Sequence, residues 1–312
     1  MKNFYFKIGL ISLCLIGIII HQLSLNSNTD ANKLPKLLAA STFSANPFLP
    51  IQADPTTTTN DQTLITSYLD NPNEVISALQ AYDFQVQITG SNQDPKLSQT
   101  CQTLVSQTLA AVPQEMYQSL VYLELALDEE TEQRGLAGAT TMQINCNLEP
   151  TELVAVLVHE LAHVYDLGSL NGSSDEQSSF QDGSKIFAID DPSVAYYSHS
   201  WQNESTRRST STNKDFASGY AMTDAFEDFA ETTTMYILNP TLLNCRAQES
   251  VALAKKLEFL TQNLPQANLP PEEPENCLTA EKMVWDATLI AFDLAEFFDN
   301  SSPAATILAQ NN

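Results

Sequence analysis

The chain has 312 residues, 43% hydrophobic and 17% charged, a globular composition long enough for one or two domains with a sizeable core. Its formal net charge of -24 would repel phosphate backbones, so nucleic acid is not an expected partner. Four basic residues, Lys2, Lys7, Lys33 and Lys36, precede the body of the chain and leave the rest still more acidic.

The N-terminus reads as an export device. Lys2 and Lys7 accompany the apolar run Ile8 to Ile20, whose thirteen residues suit a signal-peptide core and are short for a membrane span. No small-x-small cleavage pattern follows His21, and Leu13 before Cys14 is too bulky for a lipidation signal. Residues 1–25 are therefore expected to be a signal peptide or a membrane anchor, with residues 4–25 as a possible tether. Either way the expected location is extracytoplasmic. Residues 26–60, which include Thr56-Thr57-Thr58-Thr59, lack an apolar period and read as a flexible linker.

Regular signals begin near Asp61, so 61–312 is the expected folded domain. Short helices are expected over 61–69 and 72–81, a strand over 83–89, and a helix over 95–111 that ends before Pro113. Strands are expected over 120–127 and 140–146, joined by a polar, glycine-containing loop. Pro150 opens a helix running to about Leu167, with Gly168 as its C-cap. Residues 169–190 read as mostly loop, and Arg207-Arg208-Ser-Thr-Ser-Thr as a mobile loop. Further helices are expected from Asp224 to before Pro240, over 248–262 and over 279–298. A small sheet followed by a mostly helical body gives an α+β class.

Apart from Cys14 the cysteines are Cys101, Cys146, Cys245 and Cys277. In an exported domain these suggest two disulfides, for which three pairings are open. We expect Cys101–Cys146 and Cys245–Cys277, because each closes a short loop within one half of the chain. The alternative is four unpaired, buried thiols.

Chemistry concentrates in His159-Glu160-Leu161-Ala162-His163. On a helix, residues four apart leave the same face, so both imidazoles can share one Zn2+. Glu160 is offset from both and can reach a zinc-bound water as general base. Leu153 to Val158, Leu161, Ala162 and Val164 make this helix apolar nearly all round, so its polar residues need strong partners. The alternative is a pair of satisfied core histidines beside a surface Glu.

A catalytic zinc needs a third protein ligand. Asp166 and Ser169 stand where the metzincin pattern requires Gly and His, which excludes that subclass. His199 offers no matching spacing and reads as a core or surface histidine. A carboxylate fits better: Glu227 and Glu231 stand four apart on an expected helix among Phe226, Phe229, Ala230 and Ile237. Two carboxylates on one half-buried face repel unless their roles differ. Glu227 is the expected ligand, and Glu231 the acceptor for the second ring nitrogen of a ligand histidine. Asp166 is a further candidate to support the ligands from behind. Solvated carboxylates on an ordinary charged face are the competing reading of the Glu227 segment.

HExxH followed by a Glu-x-x-x-Glu helix resembles the gluzincin metallopeptidases. Ser218-Gly219-Tyr220-Ala221 with Glu227-Asp228-Phe229-Ala230-Glu231 is similar to the catalytic domain of anthrax lethal factor and zinc-binding peptidases related to it. The resemblance covers about Thr140 to Leu238. It implies a zincin-like fold with a small mixed sheet packed on the active-site helix. It also implies His159, His163 and Glu227 as ligands of one Zn2+, Glu160 as base, and Tyr220 as donor to the oxyanion. The sixty-four residues from His163 to Glu227 are a long insertion relative to a thermolysin-like arrangement. The expected activity is peptide-bond hydrolysis on a peptide or protein substrate. The alternative is a non-catalytic, zinc-containing surface or binding domain on the same scaffold.

Overall fold

A computed structural model describes residues 79, 82–90, 94–127, 133–264, 277 and 283–300. The N-terminal segment, the linker and the helices expected over 61–69 and 72–81 lie outside the described residues, except for helical Leu79. Among the described residues no helix is long and apolar enough to cross a membrane.

A four-stranded mixed sheet is built from β1 (Gln85–Thr89), β2 (Tyr122–Ala126), β3 (Gly135–Ala137) and β4 (Thr141–Asn145). The spatial order is β1-β2-β4-β3. β1, β2 and β4 run parallel, and β3 is the antiparallel edge strand. Helix α1 (Pro95–Ala111) connects β1 to β2, as a parallel crossover requires. Period-two burial puts Leu123, Leu125, Met142 and Ile144 in the core.

Against β3 and β4 packs α2 (Pro150–Val164), which also meets α1 and α4 (Ala225–Leu238). Pro150 starts α2 at a position where its missing N–H costs nothing. Every residue from Leu153 to Val164 is buried. Each buried Leu or Val there contributes about 1.5–3 kcal/mol by leaving water. That gain holds the helix in the core despite its ionisable residues.

The long segment between α2 and α4 is structured. It contains the hairpin β5 (Gln177–Asp182) and β6 (Lys185–Ala188), helix α3 (Pro192–Tyr197), and the hairpin β7 (Trp201–Asn203) and β8 (Thr206–Arg207). Its aromatics Phe180, Phe187, Tyr196 and Tyr197 cluster with Phe226 and Phe229 of α4. Beyond α4, Asn239 caps α5 (Pro240–Ala247), followed by α6 (Val251–Asn263) and α7 (Leu294–Asn300). Both expected disulfides form: Cys101–Cys146 joins α1 to the residue after β4, and Cys245–Cys277 ties α5 to the chain beyond α6.

The α+β class stands, and several local expectations are corrected. The loop between β2 and β4 contains β3, held by pairing with β4 rather than by its own sequence. The stretch 169–190 holds a hairpin that turns at Gly183-Ser184, with Gly183 at φ 56°. The loop expected at Arg207 begins inside β8, with the guanidinium 5.8 Å from the Phe216 ring centre. Gly168 does not cap α2. It sits inside a π-turn, Tyr165–Ser169, that extends the helix, and a Cβ there would lie 2.0 Å from the Ala139 carbonyl oxygen. Glycine is needed for close approach to the β3–β4 connection, not for a left-handed cap.

Candidate metal centre

α2 and α4 lie side by side and aim their ionisable residues at each other. Asp224 caps α4 by accepting from the N–H groups of Phe226 and Glu227, both at 2.9 Å, which fixes where Glu227 enters the helix. His159, His163 and Glu227 converge: one ligand atom from each lies within 4.8 Å of the others, and all three residues are buried. His159 Nε2 and His163 Nε2 stand 3.3 and 3.5 Å from the same oxygen, Glu227 Oε2. Two ring nitrogens and one carboxylate oxygen in this arrangement could hold a metal ion.

His159 also faces a second carboxylate of α4. Its Nδ1 lies 3.1 Å from Glu231 Oε1. The other oxygen of Glu231 accepts from Ser218 Oγ and, at 2.7 Å, from the N–H of Ala287. Burial and repulsion from Asp286 push the Glu231 carboxyl up, with His159 and the Ser218 hydroxyl opposing that shift. Burial alone would favour a neutral His159, but Glu227 and Glu231 outweigh it and raise the imidazole to about 10. Burial would likewise raise Glu227, yet the two histidines hold it below the ordinary carboxylate range.

Glu160 behaves differently. It is buried, its Oε2 makes no hydrogen bond, and burial lifts its carboxyl to about 7 against the pull of both histidines. Gly135 of β3 forms the wall behind it, since a Cβ there would come within 2.5 Å of Glu160 Oε1. A carboxyl poised near neutrality beside a possible cation can take and return a proton. Tyr220 is half-buried and donates to Glu227 Oε1 at 3.4 Å, so its phenol lies at the rim of the group.

Asp166 is fully buried, with a Tyr197 hydroxyl donating to it at 2.5 Å. Burial raises it to about 7, opposed first by hydrogen bonds from Ser193 and Tyr197 and then by the charge of His163. Its main anchor is therefore α3, in the long segment between the two motif helices. His199 is half-buried, is not one of the converging residues, and is pushed down by burial and nearby lysines.

Sequence reasoning missed the segment 283–293. Expected to be helical, it instead crosses α4 as an extended strap with one short turn, Ala287–Leu289. Val284 and Trp285 accept through their carbonyls from the N–H groups of Gly219 and Tyr220 at 2.9 and 2.6 Å. These long-range bonds replace the helical ones, and nothing in the local sequence announces them. Ser218 was visible in the motif, but its contact with Glu231 was not.

Comparison with known proteins finds no family model, no curated protein sequence and no solved structure that matches this chain.

Proposed function

We propose that the chain is a zinc-dependent peptidase of the gluzincin kind, with one Zn2+ held by His159, His163 and Glu227. The observation that carries this reading is the pair of His–Glu separations, 3.3 and 3.5 Å. A charge-assisted hydrogen bond between these groups would close to about 2.7–2.9 Å. Ligands bound tetrahedrally to zinc by bonds of about 2.0–2.2 Å stand about 3.3–3.5 Å apart. The spacing suits shared coordination better than direct pairing. Two imidazoles and one carboxylate also form a recognised catalytic donor set for zinc.

Zinc held there would supply a Lewis acid that polarises a carbonyl and makes water more acidic. The remaining steps fall to side chains. Glu160 takes a proton from the attacking water and later delivers it to the leaving amine. Tyr220 donates a hydrogen bond to the developing oxyanion, and burial with the surrounding carboxylates keeps that phenol protonated. Glu231 holds the ring of His159 in register. The edge strand β3 beside Glu160, the mixed sheet and the paired helices support a zincin-like fold. The two disulfides support an extracytoplasmic site of action, secreted or tethered through residues 4–25. A peptide or protein substrate of neutral or basic character is expected from the acidity of the chain.

The test compares wild type with Glu160→Gln on a broad peptide library, alongside zinc content. The variant should retain about one equivalent of zinc while hydrolysis falls about 10²–10⁴-fold. Full hydrolysis by the variant would remove Glu160 from the chemistry. Zinc with no cleavage by either protein would favour a non-catalytic binding domain.

A further inference from the structure

Arg134 lies immediately before β3, where its main chain joins the sheet: the Arg134 carbonyl accepts from Asn145 N–H at 2.9 Å. Its neighbour Gly135 forms the wall behind Glu160. Its side chain, four-fifths buried, reaches the strap. One guanidinium nitrogen donates to Thr288 Oγ1 at 2.9 Å and to Glu152 Oε1 on α2 at 3.2 Å. The other bonds the Asp286 carboxylate, which is nearly fully buried. Asp286 in turn accepts from the N–H of Thr288 at 2.8 Å and from its hydroxyl at 2.5 Å. Between these two residues sits Ala287, whose N–H donates to Glu231 Oε2.

We propose that Arg134 is a positioning residue for the metal centre, clamping the strap so that the Ala287 N–H holds Glu231 and Glu231 holds the ring of His159. This rests on the zinc reading above. The chain of contacts runs without a gap from Arg134 through Asp286 and Ala287 to Glu231 and His159. The planar guanidinium is what allows one residue to engage Asp286 and Thr288 together. A lysine presents a single charge and can hold Asp286 without fixing Thr288 in the same plane. Glu152 is a useful contrast, because its ion pair is with Arg134 and not with a strap residue.

The test is zinc affinity of the full chain by competition with a chromophoric chelator, with the visible spectrum of the Co2+-substituted protein as a second readout. Arg134→Ala and Asp286→Asn should each weaken zinc binding about tenfold or more, within the range for residues that orient metal ligands. Both should also shift the Co2+ bands. Arg134→Lys should fall between them and wild type. The double variant should bind zinc no more weakly than the weaker single variant. Glu152→Gln should stay within about twofold of wild type, because it leaves the strap contacts in place.

Should Arg134→Ala not fold, Asp286→Asn and Arg134→Lys carry the same comparison. A lowered melting temperature with zinc affinity and Co2+ bands unchanged in these variants would overturn the proposal and leave Arg134 a stabilising residue only. Wild-type protein that binds neither zinc nor cobalt would overturn the metal reading itself, a result distinct from failure of the clamp alone.

Discussion

Glu227 and Asp228 are adjacent on α4, both buried, and their surroundings differ completely. Asp228 belongs to a closed cluster. Its Oδ2 accepts from Lys256 Nζ at 2.5 Å and from Trp201 Nε1 at 2.8 Å. The same ammonium donates to the Asp215 carbonyl at 2.7 Å and lies 4.5 Å from the centre of the Phe216 ring. Burial pushes Asp228 up and Lys256 down, while the attraction between them opposes both shifts. Glu227, one residue earlier, meets two imidazoles at distances too long for strong hydrogen bonds, beside a Glu160 oxygen with no hydrogen-bond partner. A buried ionic group built for stability completes its own contacts. The group of His159, His163 and Glu227 is the one that could hold a further cation.

Breaking the closed cluster should give the largest stability effect. Lys256→Met leaves a buried carboxylate unpaired, and should cost about 3–5 kcal/mol. Zinc content of the variant that remains folded should stay at about one equivalent. Denaturant unfolding with elemental analysis checks both halves, and loss of zinc without loss of stability would erase the distinction between the two clusters.

A smaller effect is expected from Gly168→Ala, which forces the π-turn away from the Ala139 carbonyl. The expected cost is about 1–3 kcal/mol, with the metal site retained. A variant as stable as wild type would mean that this close approach does not constrain the fold.

The open cluster should also reveal itself through pH. His159 in the metal-free chain keeps its proton up to about 10 because two carboxylates face it. The stability this confers is fully present below the ordinary histidine value of about 6.5 and is lost as pH rises toward about 10. Zinc requires the deprotonated ring, so it must displace that proton. Apparent zinc affinity should therefore rise with pH across the same window, by about tenfold, or about 1.4 kcal/mol, per unit for one displaced proton. Chelator competition at several pH values between 7 and 9 measures this slope, and a flat profile would contradict the proton's place on His159.

How much of this was legible in the sequence follows from how local each signal is. The histidine pair and Glu160 were visible because one helical turn brings them to one face. Glu227 and Glu231 were visible for the same reason, on a helix with a strong cap at Asp224. The strands β1, β2 and β4 carry their own β-forming residues. In contrast, β3 has only Gly135, Leu136 and Ala137, and exists because β4 offers it partners. The strap reads as a helix until Glu231, Gly219 and Tyr220 compete for its backbone groups. Lys256 falls on the helix expected over 248–262, and nothing in its local sequence marks it as buried. Its burial depends on Trp201 and Asp228, which are remote in sequence. Local periodicity found the candidate ligands and Glu231, while the contacts that hold Glu231 came from pairings no spacing rule contains.

The most direct test of the central claim is elemental analysis of the purified full chain beside His159→Ala. The account predicts about one equivalent of zinc in wild type and essentially none in the variant, with both proteins folded by circular dichroism. Wild-type protein without zinc after exposure to the metal, or a variant that keeps its full equivalent, would contradict it.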